Sequence, residues 1–242
     1  MNREASLRIF ASLSEKVPLP MHQKLFITED GSHSIQIPEL NVSYHSKHGA
    51  IQESQHIYIE TGLKYVSEKQ KKISVLEIGF GTGLNALLTL IEAEKNDLQI
   101  LYDVVELYPL DSVFVASLNY LSLLQSPQLL KEFSWMHVCE WNVAVKISGH
   151  FELKKIRADI RYAELAGTYD LVYFDAFDPA AQPYLWTADV FRKIHTVMNK
   201  RGILVTFCSK GEVRRALEDA GFSVFKLAGP KGKREIVRAI KI

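Results

Sequence analysis

Val75-Leu76-Glu77-Ile78-Gly79-Phe80-Gly81-Thr82-Gly83-Leu84-Asn85-Ala86-Leu87-Leu88 decides how the rest of the chain is read. Ile73 to Ile78 is a short apolar run with an acid, Glu77, near its end. Three glycines spaced by two follow, and apolar residues at 84, 87, 88 and 91 open a helix. Strand, tight turn and helix are the expected elements. The glycines allow positive φ and a close approach of backbone to ligand, while the free N–H groups of the first helical turn face the same point. A dinucleotide-binding turn usually reads G-x-G-x-x-G and aims its helix dipole at a pyrophosphate. Here G-x-G-x-G follows a carboxylate, which would repel pyrophosphate and suits a ligand with a cationic centre and an ammonium group. A glycine turn that holds no ligand is the competing reading.

Downstream, apolar runs and acids alternate. Gln99 to Leu107 reads as a second strand, and Glu106 at its end lies one βαβ unit beyond Gly83, where an acid can accept both hydroxyls of a ribose. Pro109 to Tyr120 and Pro127 to Phe133 read as helical, whereas Trp135 to Ser148 shows no clear period. Phe151 to Arg157 is a third strand, and Ala158-Asp159-Ile160 follows it. Ligands of open α/β sheets lie outside such strand ends, so Asp159 is a candidate acceptor for the exocyclic amine of an adenine. Tyr169 to Phe174 is a continuous apolar strand that delivers Asp175-Ala176-Phe177-Asp178-Pro179. A helix over Thr187 to Met198, a fifth strand over Gly202 to Phe207 and a helix over Gly211 to Ala220 come next. Phe222 to Leu227 and Glu235 to Ile240 flank a Gly-Pro-Lys-Gly turn as a terminal hairpin. The expected fold is α/β, a doubly wound sheet with a reversed strand and a C-terminal antiparallel hairpin.

Upstream, Lys24 to Ile37 alternates around Glu29-Asp30-Gly31-Ser32, the signature of a small N-terminal β-hairpin. Ile51 to Leu63 is expected to be a helix leading to the core. Three regions follow: an N-terminal extension over 1–20, a hairpin with lead-in helix over 21–65, and the main domain over 66–242. Ser12-Leu13-Ser14-Glu15 fits a capping box in the extension, but Pro18-Leu19-Pro20 stops the pattern. Met21 is a candidate native start, with residues 1–20 expected to be loosely attached.

Formal charge is +1 over 242 residues, of which 47% are apolar, so only local charge can point to an acidic partner. From Lys210 to Ile242, nine Lys or Arg stand against four acids. This basic stretch is a candidate phosphate-contacting face, or simply a solvated one. Cys139 and Cys208 are too few for a disulfide framework or a Cys-rich zinc site, which suggests a reducing cytoplasm. Five of the eight histidines fall between residues 22 and 56, yet His45 and His48 lack a carboxylate or Cys partner at ligand spacing, and no metal is expected. No apolar run approaches the roughly 20 residues of a membrane span, and no signal-peptide core is present at the start.

Phe174-Asp175-Ala176-Phe177-Asp178-Pro179-Ala180, with Pro183, Leu185-Trp186-Thr187 and Phe191, resembles the D-[AG]-F-x-P…P-x-[LM]-W-T signature of the MnmD family. These are methyltransferases of the tRNA wobble uridine, free-standing or fused to a flavin oxidase. The match continues through Thr206-Phe207-Cys208-Ser209, Val213-Arg214-Arg215, Ala220-Gly221-Phe222 and Gly232-Lys233-Arg234-Glu235, and upstream through Gly81-Thr82-Gly83-Leu84-Asn85 and the Glu53 to Gly62 region. Asp178 departs from the pattern, since many relatives carry a small residue there. The resemblance implies a class I, Rossmann-like methyltransferase with S-adenosyl-L-methionine (SAM) as donor and the amine of 5-aminomethyl-2-thiouridine as acceptor.

Under that resemblance, Glu77, Gly79, Phe80, Gly81, Thr82, Gly83 and Asn85 hold the methionine part of SAM. Glu106 holds the ribose, and Asp159 and Ile160 the adenine. Asp175 is the candidate to orient the amine and take its proton, or only to stabilise the ammonium, with a place in the cofactor wall as well. Phe177, Tyr184 and Trp186 are candidates to stack a flipped-out uridine. Lys210, Arg214, Arg215, Lys233 and Arg234 are candidates for the phosphates of the anticodon stem-loop. The chain stops after its terminal hairpin, so no oxidase half is expected and the amine must come from another enzyme. Two rivals remain at this level. Tyr169 to Asp175 followed by Asp178-Pro179 is also similar to spermidine synthase-type aminopropyltransferases, although the P-x-L-W-T run is foreign to them. A catalytically silent RNA-binding protein on the same fold is the other, against which the acids Glu77, Glu106, Asp159 and Asp175 argue.

Overall fold

A computed structural model describes residues 22–242; the candidate start at Met21 and the extension before it lie outside the described residues. The described residues open with a three-stranded antiparallel sheet of β1 (Lys24–Ile27), β2 (His33–Ile37) and β3 (Val42–Ser43). The expected hairpin is there, joined by a short third strand that is too brief to show a period of two. Helix α1 then runs from Ala50 through Ser67, with α-helical ends and a π-helical middle over Gln55–Leu63. The wider π turns bury Ile57, Tyr58, Ile59, Gly62 and Leu63, and a residue added to Gly62 would press on Val205 and Tyr173 of the main sheet. The helix is therefore part of the main core.

The main sheet is built from β4 (Lys72–Ile78), α2 (Leu84–Asn96), β5 (Gln99–Val105), β6 (Ala144–Lys146), β7 (Phe151–Ile156), β8 (Tyr169–Phe174), α3 (Ala188–Thr196), β9 (Met198–Thr206), α4 (Gly211–Asp219), β10 (Phe222–Ala228) and β11 (Glu235–Lys241). Its order is β10-β11-β9-β8-β4-β5-β7-β6. The five expected parallel strands are β4, β5, β7, β8 and β9, and the terminal hairpin adds β11 antiparallel beside β9. Both faces are covered, which is why β8 reads as an unbroken apolar run. Asp170, the one acid in that run, accepts from Ser74 N at 2.9 Å and Asn199 Nδ2 at 2.7 Å and so ties β8 to its neighbours. Chain order reverses between β4 and β8, and a crevice opens at the carboxyl ends of those two strands.

Several boundaries depart from the sequence reading. The ambiguous stretch Trp135 to Ser148 begins as the end of a helix over Leu130–Val138 and then yields β6, an antiparallel edge strand on β7. The expected helix over Pro109 to Tyr120 is only a turn at Ser112–Ala116, after which the chain leaves the helix. The cause is tertiary: the Asn119 side chain accepts from His33 N at 2.8 Å and donates to Gly31 O at 2.9 Å, tethering this segment to the β1–β2 turn. The fifth strand begins at Met198 and not at Gly202, because Met198 already pairs with Tyr169. A register shift and Arg201 at φ 65° then interrupt the ladder and hide the continuity.

Candidate active site

The ends of β4 and β8 are stitched together by Asp175 N donating to Ile78 O at 3.0 Å, while Gly79 N donates to Val105 O at 3.0 Å. Gly79 has φ 94°, and a Cβ there would stand 2.8 Å from the carbonyl oxygen of Asp175. Only glycine lets the turn pass so close to the β8 end. Gly81, at φ 50°, lies under the Tyr44 ring, which a Cβ would meet at 2.8 Å. The N-terminal sheet thus lies over the glycine turn. Between them is a cavity of about 1340 Å³, larger than the roughly 300–1,000 Å³ of a typical single-ligand pocket and so able to take a cofactor and a second reactant.

Asn85, in the first turn of α2, is the hinge of the polar network. Its Nδ2 donates to Glu77 Oε1 and to Asp175 Oδ2, each at 2.8 Å. Tyr58 OH donates to Asp175 Oδ1 at 2.6 Å, and Tyr102 OH to Glu77 Oε2 at 2.9 Å. Desolvation pushes the Asp175 carboxyl up to about 7, against the lowering effect of the Tyr58 and Asn85 bonds. Burial also pushes Glu77 well above the ordinary carboxylate range. Glu106 is raised by burial too, although Oε2 accepts from Phe80 N and Gly81 N and Oε1 from Tyr108 N. No Lys or Arg among the described residues donates a hydrogen bond to any of the three. Three desolvated carboxyls without a Lys or Arg donor among the described residues favour a positively charged ligand, because its charge stabilises their ionised forms. Asn85 Oδ1 is buried and has no hydrogen-bond partner among the described residues. An ammonium group beside Asn85 would satisfy that acceptor, so the residues present fit a ligand that carries both a sulfonium and an ammonium.

Of the residues named for the cofactor, Gly79, Phe80, Gly81, Thr82, Asn85, Glu106, Asp159, Ile160 and Asp175 line this cavity. Glu77 does not. It is 1% exposed and sits behind Asn85, so it acts on the cavity through the amide and not by contact. Gly83 also lies off the wall, turned toward His137. Asp159 is held by its near neighbour Arg161, whose Nη2 donates at 2.6 Å and whose backbone N donates at 2.9 Å. The Arg161 guanidinium in turn lies over the Tyr184 ring at 4.4 Å.

On the acceptor side Phe177 and Tyr184 line the cavity, with Phe177 edge-on to Tyr44 at 5.2 Å. Trp186 does not belong with them. It is 5% exposed, packs against Phe174, Phe191 and Phe207, and donates its indole N–H to Phe177 O at 2.8 Å. Its role is to hold the Asp175 loop. The basic residues divide as well. Lys210 pairs with Asp178 at 2.6 Å on the rim. Lys233 lines the cavity, pairing with Glu53 at 3.5 Å. Arg215 and Arg234 are exposed, whereas Arg214 is half-buried, with its Nε buried and without a hydrogen-bond partner among the described residues.

Sequence reasoning missed Tyr44, Glu53, Ser54, Tyr58 and Arg161. Tyr58 reads as one more apolar residue of α1, and nothing local marks it as a partner of Asp175, 117 positions away.

Residues 126–242 match the model of a family described as S-adenosyl-L-methionine-dependent methyltransferase. With the sheet order and the glycine turn, that match gives the chain the class I SAM-dependent methyltransferase fold, with SAM as its cofactor. Within that class its sequence relatives are MnmC proteins. It is 29% identical over 226 residues to the tRNA 5-methylaminomethyl-2-thiouridine biosynthesis bifunctional protein MnmC of Marinomonas sp. (strain MWYL1), a match that covers 86% of this chain and 32% of the relative. To the MnmC of Nitrosospira multiformis it is 30% identical over 209 residues, 81% of this chain and 33% of that protein. The chain therefore spans about a third of the length of these curated relatives. The crystal structure of MNMC2 from Aquifex aeolicus superposes with a TM-score of 0.72 at 26% identity, over 98% of this chain and 75% of that one. Spermidine synthase from Thermotoga maritima superposes at 0.56 with 13% identity, over 92% of this chain and 70% of that one, a likeness of fold alone. No helix among the described residues is long and apolar enough to cross a membrane.

Proposed function

We propose that this chain methylates the primary amine of 5-aminomethyl-2-thiouridine, or its 2-oxo counterpart, at the tRNA wobble position, giving 5-methylaminomethyl-uridine. The observation that carries the reading is Asp175, placed at the end of β8 on the wall of a cavity large enough for two reactants, with its carboxyl at about 7. The names of the MnmC relatives supply the substrate class. On this reading the anticodon stem-loop lies across the cavity mouth, toward Lys210, Arg215 and Arg234, and the reaction belongs in the cytoplasm with tRNA.

SAM supplies a methyl group activated by its sulfonium. Asn85 would hold the ammonium of the methionine part at Oδ1, with Glu77 behind it. Glu106 would hold the ribose, and Asp159, fixed by Arg161, would hold the adenine together with Ile160. A substrate amine arrives mostly as ammonium near neutral pH and must lose a proton before nitrogen can attack the methyl carbon in line. Asp175 accepts that proton at the oxygen that the Tyr58 hydroxyl orients. A carboxyl near 7 is ionised often enough to act as base and weak enough to release the proton afterwards.

The reading is tested by transfer from labelled SAM to total tRNA from cells that lack this protein, followed by nucleoside mass analysis. A gain of one methyl on the aminomethyl nucleoside is expected. No incorporation into tRNA, with transfer to or from a polyamine, would replace it by an aminopropyltransferase reading.

A further inference from the structure

Three segments distant in sequence meet on the cavity wall near Asp175. Glu53, in the first turn of α1, is 8% exposed; its Oε2 accepts from Ser46 N at 2.9 Å, and its Oε1 stands 3.5 Å from Lys233 Nζ. Phe207 follows the end of β9, and Lys233 belongs to the turn between β10 and β11. The Lys233 ammonium lies over the Phe207 ring, 4.8 Å from its centroid. Glu53, Phe207, Lys233 and Asp175 all line the same cavity. Next to Glu53, Ser54 is 1% exposed and also lines the cavity, and its Oγ has no hydrogen-bond partner among the described residues.

A primary ammonium on a flexible stem, an aromatic face beneath it and a buried carboxylate beside it make up a cation-binding arrangement. Lys233 is chemically the same group as an aminomethyl substituent in its protonated form. We infer that Glu53 and Phe207 form the binding site for the ammonium of the acceptor, a place that Lys233 Nζ holds in this structure and vacates when substrate enters. Ser54 Oγ supplies the further polar contact that a buried ammonium with three N–H donors needs. Lys233, on a hairpin turn at the cavity edge, then turns outward toward the RNA backbone. Glu53 is thus a positioning residue: it holds the ammonium while Asp175 takes its proton. This inference rests on the amine-methylation reading for its substrate, but the site itself can be tested without RNA.

Two measurements decide it. In the first, methylammonium is titrated into the SAM-loaded protein by calorimetry, and into the tRNA methylation assay as inhibitor. Saturable binding that is lost in Glu53→Gln, and inhibition competitive with tRNA, are expected. Absence of binding in the wild-type protein, or binding that Glu53→Gln leaves unchanged, overturns the inference. In the second, Glu53→Gln should raise KM for tRNA about tenfold or more, the loss expected for a hydrogen bond to a charged group. Its kcat should change less, and SAM affinity should stay within about twofold, with Glu53→Asp recovering part of the KM. A fall in SAM affinity at unchanged KM would assign the pair to the methionine end and overturn the inference. Should Glu53→Gln fail to fold, Phe207→Leu carries the test, since it removes the aromatic face and keeps apolar bulk; unchanged methylammonium binding there counts against the site. Methylammonium binding that depends on Glu53, in a protein that transfers no methyl to tRNA, supports the ammonium site and rejects the RNA reading instead.

Discussion

Replacing Tyr58 with phenylalanine removes one oxygen and leaves the ring on Tyr173, whose centroid lies 5.1 Å away. What is lost is the 2.6 Å bond from the phenol to Asp175 Oδ1. That bond stabilises the carboxylate form and opposes the desolvation that holds Asp175 at about 7. A hydrogen bond to a charged group contributes about 1.5–3 kcal/mol, and one pKa unit corresponds to about 1.4 kcal/mol. The Asp175 carboxyl should therefore rise by roughly one to two units in Tyr58→Phe. The ionised base is the working form, so wild-type kcat should climb with pH through about 7 and then level off. The variant should climb later. At pH 7 the ionised fraction falls from about half to between roughly a tenth and a hundredth, a five- to fiftyfold loss of rate that closes again by about pH 9 to 10. The assay is single-turnover methyl transfer across that pH range with SAM saturating. A profile that superimposes on the wild type, or a loss equal at every pH, would refute Asp175 as the proton acceptor under Tyr58 control.

Other outcomes follow from the same network. Glu77→Gln should stabilise the protein with a margin that grows as pH rises, because a carboxyl whose folded pKa is raised costs stability once pH passes its unfolded value of about 4.5. Thermal melts from about pH 5 to pH 8 read this, and SAM affinity should fall in parallel; a gap independent of pH would mean that Glu77 does not titrate as placed. Trp186→Ala should cost about 3–5 kcal/mol of stability by urea unfolding, as a buried aromatic that also ties the Asp175 loop; a fully stable variant that loses only RNA binding would restore the stacking role. Arg215→Glu, on an exposed helix face, should weaken tRNA binding and flatten its salt dependence while SAM affinity holds; loss of SAM affinity instead would show that the residue supports the cavity.

Much of the site was legible because its signals are local. The strand-turn-helix at Glu77 to Leu88 depends on backbone conformations that glycine allows; Glu106 and Asp175 each follow an apolar run that reads as a buried strand, and Asp159 follows an alternating one. The terminal hairpin pairs Phe222 with Lys241 through Ala228 with Glu235, close to its sequence reading, since alternating patterns and a Gly-Pro turn fix register locally. β6 was not legible, because three residues on a sheet edge, two of them exposed and one half-buried, carry no period. The break before Tyr120 was hidden because Asn119 spends its side chain on a hairpin 86 residues earlier.

The sequence by itself determined the doubly wound sheet, the glycine turn and the acids at the strand ends, since periodicity and φ restrictions act between near neighbours. Tertiary structure alone decided which of those acids touch the cavity. It set Glu77 behind Asn85, Trp186 in the core and Lys233 against Glu53, and it brought Tyr58 to Asp175 from a helix that reads as plain core. A side chain's protonation and its partners depend on desolvation and on groups that approach through space, and neither is written in the spacing of residues along the chain.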